Sequence, residues 1–278
     1  MRFGLNVSTT GILSEPQTLM HLARVAEAAG WDGFFIWDIL GGDSTNPTPI
    51  VDPWIALAAI ATATKRIRIG AMVTPLPRRR PWKVARESAS LDHLSGGRLI
   101  LGVGIGTSAE EFARFGEEPD PRIRGAMLDE GLAVVTGLWR GEPFSFQGKH
   151  YQVQAATLLP RPIQQPRIPI WVGGIWPHKA PFRRAAQWDG VFPFGLNNNL
   201  TLDEIREMVS FIRSQRPDGT PFDIMVGGDV PFDDPARARA ILADYAAAGV
   251  TWWAEGIGEW RGDVTAMAAF IHGGPPRR

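Results

Sequence analysis

Gly173-Gly174-Ile175-Trp176 has the composition of an anion-binding turn. Glycines let the backbone approach a phosphate, and a helix that follows such a turn aims free N–H groups and its positive end at the anion. The same two glycines also suit a tight turn without any ligand, and the residues alone leave both readings open. Asp38 follows the apolar run Gly33-Phe34-Phe35-Ile36-Trp37 and is placed to act as an acid or base, or to serve structure. Asp229 and Glu255 are the other carboxylates beside apolar runs, and no lysine stands at such a place to form a Schiff base. Arg78-Arg79-Arg80 offers cations to a phosphate or an acidic cofactor tail, although a solvated charge run has the same composition. Trp37, Trp54 and Trp176 provide flat apolar surface for a ring, with Trp54 equally suited to a core.

Other chemistries are excluded. With no cysteine, the chain has no disulfide, thiolate metal site or thiol nucleophile. Its five histidines show no His-x-x-x-His pair, so no metal centre is expected. His93 reads as structural and His178 as a solvent-facing helix start. The 29 basic residues balance 29 acidic ones, so no net field draws the chain to nucleic acid or anionic membrane. Met1-Arg2-Phe3-Gly4 leads straight into a strand, and no apolar run is long enough to span a bilayer. A soluble, cytoplasmic protein with a small-molecule substrate is the expectation.

The elements that must position these residues centre on Lys65 to Thr107. Ile67, Ile69, Ala71 and Val73 alternate as in a strand, and Pro81 opens a helix whose face carries Val84, Leu91 and Leu94. Ser95-Gly96-Gly97 ends that helix, and Arg98 to Val103 returns as a second strand before Gly104-Ile105-Gly106. This is a βαβ unit with parallel strands. Around it the pattern predicts strands at Arg2–Val7, Gly33–Trp37, Ile168–Val172, Val191–Phe194, Asp223–Val226 and Thr251–Ala254. Capping boxes are expected at Ser14-Glu15-Pro16-Gln17 and Thr201-Leu202-Asp203-Glu204, and helix starts at Asp52-Pro53 and Asp234-Pro235. Ala28-Ala29-Gly30-Trp31-Asp32-Gly33 is echoed by Ala185-Ala186-Gln187-Trp188-Asp189-Gly190, and more loosely by Ala247 to Trp252. Repeated αβ steps, about eight in all, fit either a barrel or a doubly wound sheet.

The blocks IRIGAMVTP, LDHLSGGR and LILGVGIG, in this order and spacing, resemble strands 3 to 4 of the bacterial luciferase-like flavin- or deazaflavin-dependent oxidoreductases. The similarity extends over nearly the whole chain. It implies an α/β fold, a single (β/α)₈ TIM barrel over residues 1–278, with an irregular insertion at 141–167 before strand 5. It also implies that F420 or FMN lies with its ring against Met72, Val73 and Thr74, with a non-proline cis peptide at Met72–Val73. Gly104, Gly106 and Thr107 would flank the cofactor, and Gly173, Gly174, Ile175 and Trp176 would take its phosphate. Asp38 matches an acidic family position and is the candidate catalytic residue. Ile39 stands where many members have histidine, and Thr107 where the sugar-phosphate-oxidising branch has glutamate, so that activity is not implied.

The function implied is hydride transfer with F420, or monooxygenation with reduced FMN, on a small apolar substrate. A non-redox barrel enzyme on a phosphorylated metabolite and a cofactor-binding relative without turnover are the alternatives. The loops 41–50 and 107–124 are expected to shape the substrate pocket, the first mobile without ligand. The resemblance implies a homodimer through helices 2 and 3.

Overall fold

A computed structural model describes residues 1–276 apart from 42, 44, 198, 218, 229, 232 and 233. The strands are β1 (Arg2–Val7), β2 (Gly33–Ile36), β3 (Arg68–Ala71), β4 (Thr74–Pro75), β5 (Leu101–Gly104), β6 (Phe144–Gln147), β7 (Gln152–Ala156), β8 (Ile170–Ile175), β9 (Gly190–Phe194), β10 (Asp223–Gly227) and β11 (Trp252–Ile257). The helices are α1 (Pro16–Ala28), α2 (Pro53–Ala63), α3 (Pro81–Ser95), α4 (Ala109–Arg114), α5 (Pro121–Leu138), α6 (Lys179–Ala185), α7 (Leu202–Arg213), α8 (Pro235–Ala247) and α9 (Val264–His272). The main sheet runs β3-β2-β1-β11-β10-β9-β8-β5-β4, and its registered pairs are all parallel. Its two ends, β3 and β4, are halves of one broken strand, with Ile69 bridging to Leu99 beside β5. The order therefore closes on itself as a (β/α)₈ TIM barrel, not as a doubly wound sheet.

The sequence echo is a clasp between neighbouring strands. The Asp32 carboxylate, ahead of β2, accepts the Phe3 N–H at the start of β1 at 2.8 Å. Asp189, ahead of β9, accepts the Ile170 N–H at the start of β8 at 2.8 Å. In the looser third copy the Thr251 hydroxyl takes the Ile224 N–H at 2.8 Å. A side-chain acceptor thus satisfies a strand-end donor that the ladder does not reach.

Arg98, from the Ser-Gly-Gly-Arg block, is buried and spends its guanidinium on the protein's own oxygens. It donates to the carbonyls of Ala61, Thr64, Ile67 and Ser95 and to the Thr64 hydroxyl. Carbonyls left free at the end of α2 gain donors, and α2, α3 and β3 are fixed together. The 141–167 excursion forms the antiparallel hairpin β6–β7 around Gly148. It is tied to the barrel by two carboxylates, Glu130 on the N–H groups of Lys149, His150 and Tyr151, and Asp92 on those of Ile163 and Gln164.

Three helix starts follow the expected caps: Asp52 accepts from Trp54 and Ile55, Asp234 accepts from Arg237 ahead of Pro235, and Thr201 with Glu204 forms a reciprocal capping box. The box expected at Ser14–Gln17 does not form. Pro16 occupies the first helical position, which makes Glu15 the N-cap and leaves Ser14 closing a preceding 3-10 turn. Inside the barrel, Phe35, Trp171 and Trp252 pack with ring centroids 5.4 to 5.8 Å apart and fill the half nearest the strand starts.

Candidate functional site

Parallel strands bring their C-terminal ends to one mouth, where two neighbourhoods differ in character. The first surrounds Val73. The third strand breaks at Met72–Val73, whose peptide is cis although no proline is present, at the bond the resemblance singled out. Val73 is half-buried and turns its γ carbons toward β5 and β8. A Cβ on Gly104 would lie 2.6 Å from Val73 Cγ2, and one on Gly173 would lie 3.1 Å from both γ carbons. Val73 therefore excludes a side chain at Gly104 and leaves only tight room for one at Gly173, so that main chain and one isopropyl group form this side of the mouth.

This changes the reading of Gly173-Gly174-Ile175-Trp176. The strand does not end at Val172 but continues through Ile175, with Gly173, Gly174 and Ile175 registered against Phe192, Pro193 and Phe194 of β9. The glycines form no strand-to-helix turn, because helix α6 begins only at Lys179. Strand alternation separates their roles: Gly173 faces Val73, whereas a Cβ on Gly174 would run into Pro181 of α6. Trp176 is buried edge-on against Phe182, its centroid 5.1 Å away, and packs among the outer helices instead of lining the mouth. Ile175 is partly exposed. On the β5 side Gly106 has φ +78°, and a Cβ there would lie 2.5 Å from the Phe112 ring. Thr107 beyond it is exposed.

The carboxylates are engaged. Asp38 is 9% exposed and receives Arg79 at 3.1 and 3.0 Å on its two oxygens. Burial pushes the Asp38 pKa above its ordinary value, and the Arg79 charge opposes that rise without cancelling it. Glu255, 2% exposed, accepts the Trp253 indole N–H at 3.0 Å and an Arg261 N–H. Asp229 lies outside the described residues. Asp38 and Glu255 are thus each held by an arginine.

Two arginines of the run are engaged too, while Arg80 is exposed and lies over the Trp82 ring at 5.9 Å. Arg79 is held by Asp38, while Arg78 pairs with Glu117 at 2.8 Å and Glu111 at 3.3 Å and covers the Phe112 ring at 4.2 Å. Glu111 also receives the N–H groups of Leu40 and Gly41 at 2.9 and 2.8 Å. The far end of that loop is joined to Thr9 and Gly11 through Val51 and Pro49. The expectation of a mobile 41–50 loop thus meets a segment tied at both ends; residues 42 and 44 lie outside the described residues. Helix α4, which carries Glu111, lies within the 107–124 stretch expected from the sequence to be a loop; its signal is Ser108-Ala109-Glu110-Glu111, in which Ser108 accepts the Glu111 N–H.

The second neighbourhood is a cavity of about 400 Å³ over the ends of β1, β2, β9, β10 and β11. Asn6, Trp37, Phe194, Gly228, Glu255 and Gly256, each at or just past the end of a strand, meet here. Trp260 completes it, stacked on Trp37 at 6.0 Å and 22°. Among the described residues no helix is long and apolar enough to cross a membrane.

Comparison with known proteins agrees with this architecture. The family model described as luciferase-like monooxygenase matches residues 1–272. An F420-dependent glucose-6-phosphate dehydrogenase of Microbacterium testaceum is 33% identical over 184 residues, 64% of this chain and 52% of that protein. The oxygenase component of a flavin-dependent trigonelline monooxygenase of Acinetobacter baylyi is 30% identical over 189 residues, 66% of this chain and 51% of that one. Among solved structures, an F420-dependent secondary alcohol dehydrogenase in complex with an F420-acetone adduct superposes with a TM-score of 0.81 at 18% identity, covering 100% of this chain and 99% of that one.

Proposed function

Because the chain belongs to the luciferase-like monooxygenase family, we propose that it is an oxidoreductase that holds F420 or FMN against Val73 at the barrel mouth. The observation that carries this reading is the bare face around Val73, kept free of Cβ atoms by Gly104 and Gly173. A flat ring lies against such a surface of main chain and methyl groups without displacing a side chain. F420, when bound, would accept a hydride, or donate one in its reduced form, and reduced FMN would supply oxygen activation. The protein's own part is to orient the ring on β4, β5 and β8, and to keep the mouth apolar. The cofactor phosphate is not assigned to Gly174 or Trp176, which pack outward against α6. Arg79 and Asp38 are proposed to brace the broken strand by joining the end of β2 to the segment after β4, as positioning residues. Ile39 and Thr107 offer no carboxylate or imidazole, so proton donation of the sugar-phosphate-oxidising kind has no residue at either place.

Absorbance and fluorescence titration of the purified protein with FMN and with F420 tests the proposal. Saturable binding of one of them, lost on filling the space at Gly173 with alanine in a variant that still folds, is the expected result. Failure to bind either cofactor removes the oxidoreductase reading.

A further inference from the structure

The 400 Å³ cavity has an arrangement that the cofactor reading does not use. The order of strands around it is β9-β10-β11-β1-β2. The flanking strands bring aromatic side chains: Phe192 and Phe194 from β9, in edge contact at 4.7 Å, and Trp37 just past β2, stacked on Trp260. The strands between them bring glycines at the same level, Gly227 and Gly228 around the end of β10 and Gly256 in β11. The result is a trough with a main-chain floor and an aromatic residue pair on each flank. Trp260 is 62% exposed, so its ring remains available to a guest.

Its electrostatics narrow the guest further. The cavity's cation, Arg261, is committed to Glu255 and to the Gly256 carbonyl, and stacks on Phe270 at 4.0 Å. An anionic guest would meet no uncommitted guanidinium among the described lining residues and would lose its hydration without compensation. One polar atom does await a partner: the side-chain carbonyl oxygen of Asn6, at the end of β1, is buried with no hydrogen bond among the described residues. A buried acceptor of this kind discriminates strongly in favour of guests that carry a donor.

We infer that this trough is the substrate subsite and that it selects neutral, planar apolar molecules bearing one hydroxyl or N–H donor, with Trp260 and Asn6 as the specificity-determining residues. The inference rests on the oxidoreductase reading for its role in turnover, but the binding preference belongs to the trough itself. Sugar phosphates, with their dianionic group, fall outside the class.

Calorimetric titration of the full chain, with and without saturating cofactor, tests it using 2-naphthol, 2-methoxynaphthalene and glucose 6-phosphate. The expected result is 2-naphthol binding about tenfold or more tightly than either of the others. Trp260→Ala should weaken 2-naphthol about tenfold while Trp260→Phe largely restores it, and both should bind FMN or F420 as wild type does. Asn6→Ala should erase the preference for 2-naphthol over its methyl ether. Glucose 6-phosphate binding as well as 2-naphthol, or 2-naphthol binding undiminished in Trp260→Ala, overturns the inference. A wild type that binds 2-naphthol selectively but neither cofactor overturns the oxidoreductase reading and leaves the trough's preference standing.

Discussion

Asp38 and Arg79 form a buried ion pair at 3.0 Å in which the carboxylate still has a raised pKa, because burial outweighs the neighbouring charge. Removing Arg79 leaves an uncompensated buried anion, which costs about 3–5 kcal/mol. The folded protein binds the Asp38 proton more tightly than the unfolded chain does. Stability linked to this group therefore falls as pH rises from the usual aspartate range through the folded pKa. Arg79→Leu raises that pKa further, so its stability deficit should be largest near neutral pH and shrink on acidification. Melting curves of variant and wild type at pH 5 and pH 8 check this, and Asp38→Asn added to Arg79→Leu should recover much of the loss at pH 8. A deficit that grows toward acid would contradict the assignment.

Val73 and Gly104 make a second, steric pair. Alanine at Gly104 overpacks the contact and should cost about 1–3 kcal/mol. It should also weaken FMN or F420 binding, because the isopropyl group must move into the face proposed for the ring. Val73→Ala in the same protein removes the colliding γ carbons and should restore both stability and affinity. Chemical denaturation and cofactor titration of the single and double variants provide the cycle. By contrast, Gly174→Val meets Pro181 and should lose stability without a specific loss of cofactor affinity in the folded fraction.

Glu111 fastens the loop after β2 to α4 by accepting two backbone N–H groups and pairing with Arg78. Glu111→Ala should accelerate hydrogen exchange at the Leu40 and Gly41 amides by about tenfold, with barrel strands unchanged. Amide exchange resolved by NMR or peptide mass spectrometry would show it. Equal exchange in variant and wild type would mean that the fastening is not limiting.

Glu27 accepts the N–H groups of Lys65, Arg66 and Ile67. Burial acts to raise its pKa, yet the three backbone donors together bring it below the ordinary glutamate value. Its contribution is thus present above the unfolded pKa and lost as pH falls through the folded one. Glu27→Ala, which removes the acceptor from all three N–H groups, should lose about 1–3 kcal/mol at pH 7, with the gap to wild type narrowing in acid. Urea denaturation at pH 7 and pH 3.5 measures both points.

Local features were legible in the sequence because their causes are local. Asp52 and Thr201 cap helices through residues two or three positions away, and the repeated Trp-Asp-Gly step marks a clasp that recurs wherever the backbone recurs. The break at Met72–Val73 was legible only through the family pattern. What the sequence could not reveal depended on distant partners. Gly173 and Gly174 look like a turn until β9 pairs with them, and Arg79 looks solvated until Asp38, 41 residues earlier, is folded against it. Trp176 fits a pocket by composition alone; the helices behind it turn it away. Trp260 was passed over because it follows a strand only at a distance, on a 3-10 turn whose position depends on the whole barrel.

The rings of Phe35, Trp171 and Trp252 have a consequence for traffic. Trp171 and Trp252 have no exposed surface, and with Phe35 they stop the barrel at its lower end as a cork stops a bottle. A guest at the mouth therefore has no route through the barrel and exchanges with solvent only on the mouth side.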